Sequence, residues 1–186
     1  MALHERSIRL TYDDYLLFPE DGRRHEILDG EHYVTAAPFV RHQILSFRLT
    51  LLLGSFAEAR KLGQVLAAPL DVILSPHDIV QPDLIFLSRE RLHLLTERNL
   101  QGAPDLVIEI LSESTRQTDR ETKAEIYDRA GVREYWVVDP NQNTVMVYLR
   151  IEGRLMAIAR QQAHTKDVLM TSLLPGLDIH LADLFK

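Results

Sequence analysis

Gly102 to Thr115 reads GAPDLVIEILSEST, and its hydrophobic pattern sets the architecture. From Leu106 to Leu111 every residue except Glu109 is aliphatic, the pattern of a strand covered on both faces. Alternation over Asp105–Leu111 places Asp105, Val107, Glu109 and Leu111 on one face and Leu106, Ile108 and Ile110 on the other. Glu109 then lies among apolar neighbours, where a carboxylate is expensive to desolvate unless it is paired, protonated or bound to a metal. An arginine partner or a position at an open strand end would answer that cost without any chemistry.

Just downstream, a helix is predicted from about Gln117 to Ala130, stopped by Gly131. Its inward stripe is defined by Ile126, Tyr127 and Ala130, which follow Lys123 at helical spacing, so Lys123 shares that stripe and points toward the sheet. The lysine either snorkels to an edge or approaches Glu109, because a strand and the helix that follows it commonly pack together. Beyond the helix, REYWVVD and TVMVYLR form two strands around the turn PNQN. TSLLPGLDIHLADLFK contributes a Pro-Gly turn and a short amphipathic end.

Upstream, Thr11 is placed to cap a short helix through Phe18, with Asp13 and Asp14 in its first turn. RRHEILDGEHYVTAA reads as a β-hairpin turning at Asp29-Gly30. The longest helix runs from Arg41 to about Leu62, with Ile44, Leu45, Leu49, Leu52, Leu53 and Phe56 as its apolar stripe and Gly63 as its stop. Short strands follow at Gln64–Ala67, Asp71–Leu74 and Leu84–Leu87, then a polar, partly helical connector. Strands and helices interleave without repeat or linker, which predicts one α/β domain over residues 1–186. The early hairpin makes its sheet mixed.

Composition narrows the function. The chain has 186 residues, 46% hydrophobic and 26% charged, as expected of a globular protein with a real core. The absence of cysteine excludes disulfides, thiolate metal sites and cysteine nucleophiles. No run approaches the roughly 18 apolar residues of a membrane span, and MALHERSIRL lacks a signal-peptide core, so a cytoplasmic protein without membrane contact is expected. A net charge of −6 argues against strong non-specific binding to nucleic acid. Arg23, Arg24, Arg41, Arg48, Arg116 and Arg120 are either solvated surface residues or, if the fold gathers them, a local basic patch.

Asp83, in IVQPDLIFLS, follows a proline where an apolar strand begins. Polar residues at strand ends often line clefts, although the commonest use of Pro-Asp is to cap a turn, and Asp105 in APDL suits that ordinary case. Two carboxylates on neighbouring strands with a lysine nearby form a minimal site for a hard divalent cation. Magnesium prefers oxygen ligands and keeps waters to share with phosphates. Such an ion polarises a phosphodiester and lowers the pKa of bound water, and a lysine would orient that water or offset transition-state charge.

HEILDGEHYV, RHQ, VQPDLIFLS, GAPDLVIEILSEST, DRETKAEIYDRAGVREYWVVDP and LLPGLDIHLADLF together resemble the Uma-type family of putative restriction endonucleases, within the PD-(D/E)XK nuclease superfamily. The resemblance runs from about Tyr12 to Phe185. It implies a restriction-endonuclease-like core, a mixed sheet flanked by helices with an N-terminal hairpin. Asp83 of Pro82-Asp83 would be a metal ligand, Glu109 the second, and the Ile110 carbonyl a third. Leu111 stands where the superfamily's lysine is usual, so the role would pass to Lys123. Glu26 matches a family glutamate that would complete the acidic cluster, or it is a hairpin surface residue. His42 in RHQ would be a substrate or supporting group, or a helix cap. Tyr127 and Trp136 also match but read as core, while Ser112 and Thr115 read as caps of the following helix. Glu113 stands where the family commonly has a proline.

Three functions fit these residues: a DNA endonuclease dependent on Mg2+ or Mn2+ through Asp83, Glu109, Lys123 and Glu26, a catalytically silent binding or assembly module, and a hydrolase of phosphorylated small molecules. A homodimer would supply two sites for cutting both strands of DNA.

Overall fold

The structure, a computed structural model, describes residues 9–112, 121–165 and 167–186. Among the described residues, strands gather into two large mixed sheets. The first joins β1 (Arg24–Leu28), β2 (Glu31–Thr35), β4 (Asp71–Ser75), β5 (Asp78–Val80) and β7 (Asn99–Gln101) in the order β2-β1-β5-β4-β7. The second joins β3 (Gly63–Ala67), β6 (Leu84–Ser88), β8 (Leu106–Ile110), β9 (Glu134–Asp139), β10 (Thr144–Ile151) and β11 (Arg154–Gln162) in the order β11-β10-β9-β8-β6-β3. The pairs β4–β7 and β8–β9 run parallel. A small ribbon of β12 (Val168–Leu169) and β13 (Ile179–His180) lies near the end of the chain. The helices are α1 (Tyr12–Tyr15), α2 (Val40–Ala59), α3 (Thr122–Ala130) and α4 (Leu181–Leu184).

Strand β8 divides the core by its own alternation. Leu106, Ile108 and Ile110 join Leu45, Leu49 and Leu53 of α2 in one cluster. Val107 and Leu111 join Ile126 and Tyr127 of α3, with Leu28, Val72 and Val80 of the first sheet, in the other. The second sheet is therefore covered on both faces, as the aliphatic run of β8 predicts. On the α3 side, the same packing brings the first sheet and its β1 strand toward Glu109.

Local signals work as expected at several places. Asp29 and Gly30 both have positive φ, 53° and 82°, the conformation a two-residue hairpin turn requires. Gly131 ends α3 in the left-handed region at φ 87°. Asp14 accepts hydrogen bonds from the N–H and hydroxyl of Thr11, 2.8 Å each, although α1 ends at Tyr15 rather than Phe18.

Other details differ. Helix α2 buries His42, Leu45, Leu49, Leu53 and Ala57, while Ile44 and Leu52, expected inside, are exposed. Val40, Ile44, Phe47 and Leu51 form a second apolar line on its outer side, so periodicity alone does not select the buried stripe. Strands β5, β7 and β11 were not expected; the first two are only three residues long, and β11 is a largely exposed edge strand with little alternation. No described helix is long and apolar enough to cross a membrane.

Candidate active site

The β6–β8 ladder ends at the pair Leu84–Ile108. The next amide, Ile110 N–H, is met by the side chain of Asp83, at 2.8 Å to Oδ2. An aspartate at the start of β6 thus continues the ladder with a carboxylate in place of a carbonyl. His42 Nε2 lies 2.9 Å from the same oxygen, and an Arg24 guanidinium nitrogen lies 2.9 Å from Oδ1. Burial opposes ionisation of Asp83, but His42, Arg24 and the Ile110 amide outweigh it and hold the carboxyl below its usual range. An ionised carboxylate only accepts, so Nε2 of His42 carries the hydrogen in this contact. Among the described residues the buried Nδ1 of His42 has no hydrogen-bond partner.

Glu109, facing the opposite cluster, meets α3. Lys123 Nζ donates to Glu109 Oε1 at 3.0 Å and Tyr127 Oη donates to the same oxygen at 2.7 Å. The two donors are one helical turn apart, which lets both reach one carboxylate. Lys123 Nζ also lies 2.9 Å from Glu26 Oε1, which accepts the Gln81 N–H at 2.8 Å. Arg24 and Glu26 are two residues apart on β1, and strand periodicity turns both toward this site. Burial, followed by the charge of Glu109, raises the Tyr127 hydroxyl well above its ordinary range, keeping it a donor.

Together Arg24, Glu26, His42, Asp83, Glu109 and Lys123 line a cavity of ≈ 20 Å³, space for about one water. A wider hollow of ≈ 250 Å³ shares Arg24, His42 and Asp83 as a common wall. Among the described residues, no three His, Asp or Glu side chains form a ready-made metal cage. The donor chemistry nevertheless suits a hard cation, since magnesium commonly takes only one or two carboxylates and fills its remaining positions with water and phosphate. Room for those waters lies toward the wider hollow.

The structure brings Asp83, Glu109, Lys123, Glu26 and His42 into this one site, with the Ile110 amide joined to Asp83. Ser112 lines the inner cavity. Thr115, Arg116, Arg120 and Glu113 lie outside the described residues. Asp105 is buried elsewhere, accepting the Ser88 N–H at 2.7 Å with Arg91 and Arg133 beside it, a structural use. Trp136 is core and donates to Glu134 at 2.6 Å. Arg41 bonds Asn143, and Arg48 bonds the carbonyls of Leu184 and Lys186, and neither lines the inner cavity. Sequence reasoning missed two members. Arg24 was signalled by its strand parity with Glu26, and Tyr127 by its helical spacing from Lys123.

A family model described as Uma2, "Putative restriction endonuclease", matches residues 12–182. No curated protein matches. Among solved structures, the chain is similar to "a putative nuclease belonging to DUF820" from Anabaena variabilis ATCC 29413, with a TM-score of 0.77 and 21% identity. That alignment covers 95% of this chain and 97% of the other, and it is a likeness of fold.

Proposed function

The chain belongs to the Uma2 family of putative restriction endonucleases, and from that premise we propose that it is a divalent-metal-dependent endonuclease hydrolysing phosphodiester bonds in DNA. The observation that carries this reading is the meeting of Asp83, Glu109, Glu26 and Lys123 around one buried polar cavity. Magnesium or manganese, held by Asp83 and Glu109 with the Ile110 carbonyl and Glu26 as further ligands, would supply phosphate polarisation and a more acidic water. Lys123 provides a fixed positive charge where the phosphate gains negative charge. Tyr127 and Lys123 fix Glu109, and His42 fixes Asp83. In the reaction a water oxygen bonds to phosphorus and gives up one proton to solvent, the bond to the leaving oxygen breaks, and that oxygen takes a proton from solvent.

Plasmid nicking with metal titration tests this. Cleavage is expected in Mg2+ or Mn2+, abolished by EDTA and reduced at least about 100-fold by Asp83→Ala, the scale of removing one key electrostatic group. Undiminished cleavage by that variant would overturn the assignment.

A second reading, a silent binding or assembly module, is favoured by one observation. Each carboxylate is already matched by a cation or donor, Asp83 by Arg24 and His42, Glu26 and Glu109 by Lys123. Calorimetry separates the two, because a silent module takes up no Mn2+. The active reading is coupled to a homodimer, supported by the exposed apolar line on α2.

A further inference from the structure

The wider hollow differs from the inner cavity in its charge. Arg23, Arg24, His42, Gln43 and Ser46 are on its wall, and among the described residues Asp83 is its single carboxylate. That carboxylate is already covered by Arg24 and His42. Arg23 is exposed and leans toward Asp21, 3.3 Å away. Arg24 occupies a different position. Its side chain is 21% exposed, against 3% for Asp83 and 2% for Lys123, so it is the cation of the network that reaches the hollow. It lines both cavities and binds Asp83 from the solvent side.

Two competitions follow from this placement. A divalent cation brought to Asp83 needs Oδ1, the oxygen that Arg24 now holds, because Oδ2 already accepts from His42 and the Ile110 amide. Lys123 is enclosed between Glu26 and Glu109, whereas Arg24 can leave by rotating its side chain into the hollow. A free guanidinium facing a polar, carboxylate-poor hollow is suited to bidentate binding of a phosphate.

We propose that this hollow is a phosphodiester subsite for nucleic acid, in which the Arg24 guanidinium exchanges the Asp83 carboxylate for a backbone phosphate. The proposal rests on the nuclease reading for its ligand class, yet it concerns binding and is tested without cleavage. Arg24 is a substrate-binding residue held in reserve by Asp83. Metal and nucleic acid therefore bind cooperatively, each favouring the state in which that ion pair is open.

The test is anisotropy of a labelled DNA duplex with the full chain in EDTA. Asp83→Asn keeps an acceptor for the Ile110 amide but removes the charge holding Arg24. It should tighten duplex binding at least about 5-fold, a coupling of ordinary size. Adding Arg24→Ala should erase that gain and lower the salt dependence by about one phosphate contact. A gain that persists in the double variant overturns the proposal, because general charge removal would then explain it. An unchanged affinity in Asp83→Asn overturns it too. A second arm needs only Arg24→Ala, whose calorimetric Mn2+ affinity should exceed wild type about 5-fold; equal or weaker binding contradicts the exchange. A merely structural Arg24 would lower melting temperature without changing the salt slope. Absence of cleavage with the duplex results intact would count against the nuclease reading alone.

Discussion

Glu109 shows how one misplaced-looking residue organises a site. It sits in an aliphatic strand, and its burial is balanced by Lys123 and Tyr127. Lys123 also holds Glu26, so removing the lysine leaves two buried carboxylates without that shared cation. Lys123→Met should therefore lose about 3–5 kcal/mol in urea unfolding, and Glu26→Gln with Glu109→Gln in the same chain should restore much of it. A loss below about 1 kcal/mol would place the lysine outside the network's energetics. Asp83 gives a pH prediction. Its folded carboxyl titrates below the ordinary 3.8, so its stabilisation is complete above 3.8 and is lost as pH falls through the lower folded value. The melting temperature of wild type should drop more steeply below that pH than that of Asp83→Asn. Parallel profiles would contradict this. Glu109 and Lys123 were readable because strand and helix periods each fix a direction. Arg24 was harder, because an arginine ordinarily reads as solvated and its partner lies 59 residues away.

At the level of elements, parity carried the most information. The alternation of β8 assigned its faces, and both core clusters obey it. The α2 stripe was less determinate, because the helix is apolar on two sides. Strand β11 has no buried residue to mark its period, and its pairing with β10 includes a register shift between Val147 and Tyr148. Strand β9 holds a group with the opposite sign to Asp83. Burial raises the carboxyl of Glu134, outweighing donations from Thr171 and Trp136. A raised carboxyl favours folding below its unfolded value of 4.5, and that advantage is lost as pH rises through the folded value. Glu134→Gln retains an acceptor for Trp136 and can donate to Thr171. Its melting temperature at pH 7.5 should equal or exceed wild type, the difference shrinking toward pH 4.5. A drop beyond about 3 °C, the scale of 1 kcal/mol in a chain of this size, would show that the ionised carboxylate is required.

Across the whole molecule, the site exists because two sheets and two helices converge. The first sheet brings Arg24 and Glu26, the second Asp83 and Glu109, α2 His42, and α3 Lys123 and Tyr127. Interleaved strands and helices made a mixed α/β core readable, but division into two sheets depended on short strands such as β5 and β7 that carry almost no pattern. The outer line of α2, with Val40 76% and Phe47 69% exposed, is the surface on which a second copy would sit. Phe47→Glu should convert the proposed dimer to monomer in sedimentation equilibrium while leaving its melting temperature nearly unchanged; a wild-type chain that stays monomeric throughout would remove that arrangement. The most direct measurement is single-turnover cleavage of labelled duplex DNA at saturating Mn2+, comparing wild type with Glu109→Gln. The account predicts metal-dependent cleavage by wild type and a loss of at least about 100-fold in the variant. Equal rates, or no cleavage by wild type at any metal concentration, would contradict it.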